Sequence, residues 1–197
     1  MALREFLERL FSGLSFKPEP VKTEAQKLPP PDHLPHFRFY PGCYEDGTLK
    51  QTDEACVTCG EAGRWMFGGS IYSTSRDKPV CAGCIADDRL ASHYGADFSM
   101  HDIDFDSDAG EYETEVLQRT PGFPIYNPIT WPVKDGVPMA YQGVGDQKHF
   151  WLDMDCRSAM QQFWRDNIGD ELEGPAYHLL VFKTLDGETF GFALDLD

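Results

Sequence analysis

The chain of 197 residues is acidic, with 33 Asp and Glu against 17 Lys and Arg and a formal net charge of −16. Because such a charge repels phosphate and no run of Lys and Arg offsets it, we exclude nucleic acid as a partner. Hydrophobic residues make up 41% and aromatic residues 13%, which is typical of a folded protein and excludes a disordered one. The charge favours a basic protein partner, or it serves solubility alone.

The sequence predicts neither export nor a membrane span. Nowhere do about 18 apolar residues follow one another, as a transmembrane helix requires. Charged residues interrupt the N-terminal segment, whereas a signal peptide has an uncharged apolar centre. They are Arg4, Glu5, Glu8 and Arg9. We therefore expect a cytoplasmic protein whose cysteines stay reduced.

Residues 1–16 are predicted to form an amphipathic helix. Its apolar stripe follows the helical repeat and consists of Leu3, Phe6, Leu7, Leu10, Phe11 and Leu14. Three docking sites remain open for this helix: the chain's own domain, the groove of a partner protein, or a membrane surface. Protein is favoured, because Glu5 and Glu8 offset the basic charge that an anionic membrane attracts.

Residues 17–33 are rich in proline and in charge, which predicts an extended linker rather than part of a core. The main domain then covers residues 34–197. We predict an α+β fold for it: a small β-rich, zinc-ribbon-like unit followed by a C-terminal helix and a β-hairpin.

Two Cys-x-x-Cys pairs organise this domain, Cys56 with Cys59 and Cys81 with Cys84. Two such turns predict a tetrahedral zinc site, and two disulfides or four unrelated thiols are the alternatives. Because all four ligands are cysteines, no coordination position stays open for water. We therefore expect one structural zinc and no catalytic residue.

Short strands and one helix are predicted around the cysteine pairs. Residues 36–40 alternate as a strand does, and residues 63–73 indicate a pair of strands. Residues 85–94 are predicted to contain a helix. Asp87 and Asp88 either cap that helix or orient the zinc ligands, and capping is favoured.

Residues 97–115 contain eight acids and no base. Four of these acids have the spacing of a calcium loop: Asp104, Asp106, Asp108 and Glu115. Such a loop needs glycine at its sixth position, where Ala109 stands. We therefore favour a solvated acidic loop, with docking as its candidate role, over a calcium site.

Three elements are predicted in the C-terminal half: a strand running into a turn in residues 115–123, a helix from Cys156 to Ile168, and a β-hairpin around Asp186-Gly187. Asp153 and Asp155 are expected to cap the helix. Cys43 and Cys156 have no base placed beside them in the sequence. We expect free buried thiols at both positions, with a nucleophile as the minor alternative.

Four segments in this order resemble the CbrC family, which is named for a bacterial colicin-tolerance protein: LPHFRFYPG, CVTCG, VCAGCIADDRLASHY and EVLQRTPGF. The resemblance covers most of the chain from residue 34 onward. It is specific, because CIAD and RTPGF are unusual strings. The family name implies a role in tolerance to a bacteriocin.

The chain departs from that family's pattern at a second set of four cysteines. Their places are taken by Asp135, Met139, Lys183 and Asp186. A lysine ammonium cannot ligate zinc and a thioether is a poor zinc ligand. We therefore predict one zinc rather than two. An ion pair between Lys183 and an acid, together with the Asp186-Gly187 turn, is expected to hold that end of the domain.

With the resemblance, these features predict a non-catalytic, acidic, zinc-binding interaction protein that acts in bacteriocin tolerance or immunity. A basic toxin, such as a nuclease domain, is its candidate partner. The alternative is an enzyme of unrecognised type with a pocket near residues 97–131. A third option is a structural adaptor that docks through the helix in residues 1–16. Convergent carboxylates in a pocket favour the enzyme, and a flat acidic or apolar patch favours the binder.

Overall fold

The structure is a computed structural model, and it describes residues 33–69, 79–94 and 103–196. The helix predicted in residues 1–16 and most of the linker lie outside the described residues. Within the described part, helices alternate with four small sheets, which confirms a mixed helix-and-strand fold. The closer likeness to a zinc ribbon stays a prediction. None of the described helices is long and apolar enough to cross a membrane.

The first sheet carries the cysteine pairs. It is antiparallel, in the order β1 (Leu49–Gln51), β2 (Trp65–Phe67), β3 (Val80–Cys81). Two short helices follow, α1 (Ala82–Ala86) and α2 (Arg89–Tyr94). The strand pair predicted in residues 63–73 is confirmed as far as β2, and its second half lies outside the described residues. The predicted helix is divided in two by Asp88, which has a positive φ of 57°.

The strand predicted in residues 36–40 is wrong, because this segment forms turns. The Tyr40 N–H donates to the Phe37 carbonyl over 3.0 Å, which closes a turn instead of leaving the backbone extended. Phe37, Phe39 and Tyr40 are all buried, at 4%, 0% and 2% exposure. The alternation of aromatic and polar residues therefore reflects insertion of a turn into the core rather than a two-sided strand.

A parallel pair of strands follows, β4 (Ile103–Phe105) and β5 (Ile129–Trp131). Between them lie a short 3-10 helix, Gly110–Tyr112, and α3 (Glu113–Gln118). The strand predicted at the start of residues 115–123 is therefore wrong. Glu, Leu and Gln have high helix propensity, and acids in the first turn of α3 favour its N-terminus. Only Val116 of α3 is fully buried, so one helical face contacts the core.

A two-residue hairpin joins β6 (Val133–Lys134) to β7 (Val137–Pro138). Its turn residues, Asp135 and Gly136, both have positive φ, 53° and 76°. This is the conformation of a type I′ turn, for which Asp-Gly is a preferred pair. An Asp-Gly pair in the sequence thus favours a hairpin here, which the predicted elements do not include.

The C-terminal half contains the largest sheet, in the order β10 (Phe190–Leu194), β9 (Ala176–Lys183), β8 (Ala140–Gly145). β9 and β10 pair antiparallel, which confirms the hairpin predicted around Asp186-Gly187. Two helices connect β8 to β9: α4 (Lys148–Leu152), which was not predicted, and α5 (Met154–Ile168). The helix predicted from Cys156 is confirmed and begins two residues earlier. Asp153 caps it as expected, because its carboxylate accepts hydrogen bonds from the Asp155 and Cys156 amides.

The central strand β9 separates two hydrophobic clusters. Leu180 and Phe182 contact the main core, which also contains the cysteine pairs. Leu179 and Val181 point to the other face, where α4 and α5 pack. The alternation of side chains along a strand explains this division. The sheet therefore lies between the cysteine-bearing unit on one face and a helical layer on the other.

Candidate metal centre

The first cysteine pair lies in a tight turn between β1 and β2. The turn is closed by the Gly60 N–H, which donates to the Cys56 carbonyl, and by the Cys56 N–H, which donates to the Glu61 carbonyl, both over 2.8 Å. Gly60 has a φ of +76°, a conformation that residues with a side chain rarely adopt. Glycine after the pair therefore allows the chain to reverse there.

The second pair lies where a strand becomes a helix. Cys81 is the last residue of β3 and Cys84 belongs to α1. Cys81 is paired with Met66 of β2, so the sheet fixes its distance from the first turn. A hydrogen bond of 2.9 Å from the Val57 N–H to the Pro79 carbonyl joins the two turns directly. These two backbone contacts bring the cysteine pairs close together.

The four sulfurs converge on one point. All lie within 4.8 Å of one another, and the Cys59 and Cys81 Sγ atoms are 3.8 Å apart. A zinc–sulfur bond of about 2.3 Å in a tetrahedron separates sulfurs by about 3.8 Å, whereas a disulfide needs about 2 Å. The spacing therefore fits four ligands around one metal ion and not a disulfide. Cys56, Cys81 and Cys84 are buried, while Cys59 is half-buried.

The surroundings of the thiols differ. Burial acts to raise the pKa of Cys56, but hydrogen bonds from backbone amides outweigh it and lower this pKa to about 7. The Thr58 and Cys81 amides lie 3.4 Å and 3.3 Å from the Cys56 sulfur. Burial raises the pKa of both Cys81 and Cys84, and the neighbouring cysteines add to the effect for Cys84. Full deprotonation of the set therefore calls for a cation among the sulfurs.

The four acids with the spacing of a calcium loop do not form a second centre. Within the described residues, the cysteine cluster is the one group of His, Cys, Asp or Glu that could hold a metal ion. The carboxylate of Asp106 accepts a hydrogen bond from the Val133 amide, and that of Asp108 from the Gly110 amide, both over 2.8 Å. Glu115 forms an ion pair with Arg38. These acids therefore hold the polypeptide in place rather than converge on a cation.

Asp135 and Met139, at two of the positions that differ from the family pattern, have ordinary structural roles. Asp135 occupies the turn between β6 and β7. Met139 is buried at 4% exposure, and its carbonyl accepts a 2.9 Å hydrogen bond from the Trp131 indole. An apolar contact and a backbone hydrogen bond thus stabilise this part of the domain.

Lys183 and Asp186 lie at the other two positions. In the part of the chain that the structure describes, Lys183 forms no ion pair, so the predicted ion pair with an acid is wrong. The Lys183 ammonium lies instead 4.7 Å from the centre of the Phe190 ring. Lys183 of β9 is paired with Phe190 of β10, which places the ammonium over the phenyl ring. Asp186 accepts hydrogen bonds from the Thr184 hydroxyl and the Glu188 amide within the hairpin turn. The turn is thus stabilised as expected, but by local hydrogen bonds.

Cys43 and Cys156 are free thiols and fully buried, as predicted. Burial raises the pKa of Cys156 to about 11, and it also raises that of Cys43. Both groups are therefore neutral at physiological pH, and nothing in their surroundings activates them as nucleophiles.

Two charged residues that matter for the fold were missed by the sequence reasoning. Arg38 pairs with Glu115 and so joins two of the segments that carry the family resemblance. Asp195 is buried at 5% exposure, and its carboxylate accepts hydrogen bonds from the Tyr126 and Asn127 amides. The only sequence signal for the role of Arg38 was its position between two aromatic residues. No local sequence pattern indicates the role of Asp195.

These features define a small mixed helix-and-strand protein with a four-cysteine cluster that could hold a metal ion. The chain belongs to the uncharacterised protein family UPF0167, whose model matches residues 34–176. The match begins where the sequence predicts the main domain to begin.

Curated relatives of this chain are found in two bacterial genera. It is 35% identical over 113 residues to a UPF0167 protein of Pseudomonas aeruginosa, which covers 56% of this chain and 63% of the relative. It is 31% identical over 115 residues to UPF0167 proteins of Mycobacterium bovis and Mycobacterium tuberculosis, which covers 57% of this chain and 62% of each relative. The chain thus spans less than two thirds of the length of these relatives. No solved structure matches it.

Neither the family description nor the names of these relatives contain the CbrC name or a link to colicin tolerance. The family is therefore UPF0167, and the link to colicin tolerance stays a prediction.

Proposed function

We propose that this protein is a non-catalytic, acidic interaction protein whose domain is held together by one structural zinc ion. The observation that carries this proposal is the closed set of four cysteine sulfurs within 4.8 Å of one another. Cys56, Cys59, Cys81 and Cys84 are the proposed ligands. Four thiolates at tetrahedral spacing suit zinc better than magnesium or calcium, which prefer oxygen ligands.

The all-cysteine ligand set supports a structural rather than a catalytic role. Catalytic zinc keeps a position for water or substrate, and four protein ligands leave none. The alternative, an enzyme using residues 97–131, finds little support among the described residues of that segment. Its carboxylates at Asp106, Asp108 and Glu115 are occupied by amides or by an arginine. Residues 97–102 lie outside the described part.

A basic protein is the proposed partner. The formal net charge of −16 favours encounter with a positively charged surface. The resemblance to the CbrC family adds the biological setting, which is tolerance to a bacteriocin through binding of a basic toxin. In this proposal the protein acts in the cytoplasm and does not bind nucleic acid. Its predicted N-terminal helix, residues 1–16, docks on protein across the linker of residues 17–33.

A metal measurement combined with a pull-down tests this function. The full chain and a chain that begins at residue 34 are both used to recover partners from cells, and zinc is measured by mass spectrometry. We expect one zinc per chain and recovery of a basic, toxin-like protein, with the salt sensitivity that a charged interface has. Failure of both chains to recover a partner, together with turnover of any substrate, would contradict the proposal.

A further inference from the structure

The outer edge of the largest sheet carries backbone groups that have no partner among the described residues. β10 is an edge strand, because β9 lies on one side of it and no strand of the described residues pairs with its other side. The Thr184 amide donates to the Thr189 carbonyl, and the Asp195 amide donates to the His178 carbonyl. Hydrogen-bonded and non-hydrogen-bonded positions alternate along an antiparallel ladder. The backbone N–H and C=O groups of residues 191 and 193 therefore also point toward β9.

The amides and carbonyls of the intervening residues therefore point away from β9. These residues are Phe190, Phe192 and Leu194, which are paired with Lys183, Val181 and Leu179 in the non-hydrogen-bonded positions. No hydrogen bond in the described part of the chain occupies these outward groups. The edge thus presents a row of donors and acceptors of the kind that accepts an additional strand.

The same three residues also present apolar side chains that the helical layer covers only in part. Phe190, Phe192 and Leu194 are half-buried, although they lie over α5. The ring centroids of Phe192 and of Phe163 in α5 lie 5.4 Å apart. Leu196 continues the row on the same face and is 41% exposed. An incoming strand would cover these side chains as well as the backbone.

Carboxylates lie at both ends of the hairpin formed by β9 and β10. Asp186 and Glu188 are exposed in the turn that precedes β10. At the other end, three exposed acids lie in the segment that precedes β9: Asp170, Glu171 and Glu173. Lys183 lies over the Phe190 ring of β10. An occupant with basic ends therefore matches the charge of the site.

We propose that β10 binds the protein's basic partner by strand addition, which rests on the proposed function. The occupant is an extended segment of that partner, with apolar side chains at alternate positions and Lys or Arg at its ends. A second copy of this chain fits less well, because each copy has a net charge of −16. The chain's own residues 17–33 are unsuited as well, since their prolines lack the amides that a ladder needs.

Amide hydrogen exchange on the full chain tests this proposal. The probe is the synthetic peptide Arg-Val-Thr-Val-Thr-Val-Thr-Val-Arg, and its controls replace Arg by Glu or the central Thr by Pro. At about ten times its dissociation constant, the basic peptide is expected to slow exchange at Phe190, Phe192 and Leu194 about tenfold. Gly191 and Ala193 are already bonded to β9 and should change little. Neither control peptide should protect the outward amides.

A matched pair of variants adds a second measurement. Leu194→Pro removes an outward N–H without removing a bond to β9, while Leu194→Val keeps that N–H. We expect Leu194→Pro to weaken peptide binding about tenfold or more, and Leu194→Val to stay within about twofold. If Leu194→Pro fails to fold, the exchange experiment on the unaltered chain still decides the question.

Several results would overturn the inference. One is saturation with the basic peptide that leaves the three amides unchanged. Another is protection of these amides in the free protein. If this protection rises with protein concentration, the occupant is a second copy of the chain. If it is independent of protein concentration, the occupant is another segment of the same chain. If the pull-down recovers a basic partner but the peptide leaves β10 unprotected, the proposed function stands and only the strand-addition surface fails.

Discussion

Arg38 and Glu115 form a two-point ion pair although 77 positions separate them in the sequence. The Arg38 Nε lies 2.8 Å from one carboxylate oxygen, and the second oxygen accepts from the Nη2 group. The guanidinium also lies 4.9 Å from the ring centres of Phe39 and Tyr112. The hydrogen bond to Glu115 is the main reason why the pKa of Arg38 is raised. The pair thus joins the turn of residues 36–40 to α3.

We expect Arg38→Lys to lower the free energy of unfolding by about 1 kcal/mol, because lysine can neither form the two-point contact nor stack on both rings. The expected loss of unfolding free energy is small because the Arg38 side chain is 40% exposed and solvent screens its charge. Urea unfolding measures the change. Arg64→Lys is the matched control, since Arg64 pairs with Glu61 at the surface. Equal losses for the two substitutions would contradict a special role for Arg38.

Loss of the proposed zinc ion is expected to unfold the domain. Structural zinc contributes about 10 kcal/mol or more in small zinc peptides, which is comparable to the whole stability of a domain. Cys84→Ser, or a strong chelator added to the unaltered chain, should therefore abolish cooperative thermal unfolding. Circular dichroism and zinc analysis measure the two effects.

Cys43→Ala is the control for this experiment, because Cys43 is buried but lies outside the cluster. We expect this variant to retain one zinc and a cooperative transition. Two zinc ions per chain, or a chelated chain that still unfolds cooperatively, would show that the cysteine cluster is not the single metal staple.

The parts of the fold that were predictable from the sequence depend on local chemistry. The Cys-x-x-Cys spacing and Gly60 define the first turn within five residues, and the Asp186-Gly187 turn lies between two strands that pair directly. The helix α5 was predictable because Asp153 caps it and its apolar residues recur at the helical period. Each of these signals needs no information from elsewhere in the chain.

The wrong predictions concern segments whose conformation depends on distant partners. The turn of residues 36–40 contacts β8, where the Tyr141 amide donates to the Phe39 carbonyl over 2.8 Å. The sequence predicts a strand at the start of residues 115–123, yet this segment forms α3, from which Glu115 pairs with Arg38. For the candidate site, the spacing predicts which cysteines meet. The Cys81 amide of β3 also donates to the Cys56 sulfur and helps to lower the pKa of Cys56, and this bond was not predictable because it depends on the pairing of β2 with β3.

The buried thiol of Cys156 is expected to make stability depend on alkaline pH. Burial raises its pKa from the ordinary value of 9.0 to about 11 in the folded protein. The unfolded chain therefore releases this proton first, so the contribution is fully present below about pH 9 and lost as the pH rises toward about 11. The loss amounts to about 2 to 3 kcal/mol at most.

Comparison of the unaltered chain with Cys156→Ala isolates this effect. Urea unfolding at a series of pH values should show that the difference in unfolding free energy between the two proteins shrinks above pH 9. Tyrosine and lysine titrations are common to both proteins and cancel. A difference that stays constant between pH 8 and 11 would contradict the assignment.

Asp195 is expected to be the most sensitive of the acidic residues outside the cysteine-bearing unit. Its buried carboxylate accepts from the Tyr126 amide at 3.0 Å and from the Asn127 amide at 2.8 Å. Asp195→Ala leaves both amides without this acceptor, and a buried unpaired group destabilises by about 1 to 3 kcal/mol. We therefore expect a loss of about 2 to 4 kcal/mol in urea unfolding, given two amides.

Faster exchange of the Tyr126 and Asn127 amides should accompany this loss, because the loop before β5 is then held only by its other contacts. Asp195→Asn keeps one acceptor oxygen and should lose less stability than Asp195→Ala. Asp170→Ala is the matched control: Asp170 is exposed, so its removal should change the unfolding free energy by no more than about 0.5 kcal/mol. If Asp195→Ala and Asp170→Ala prove equal, the carboxylate of Asp195 does not anchor the loop, and the buried acid would then lack a structural explanation.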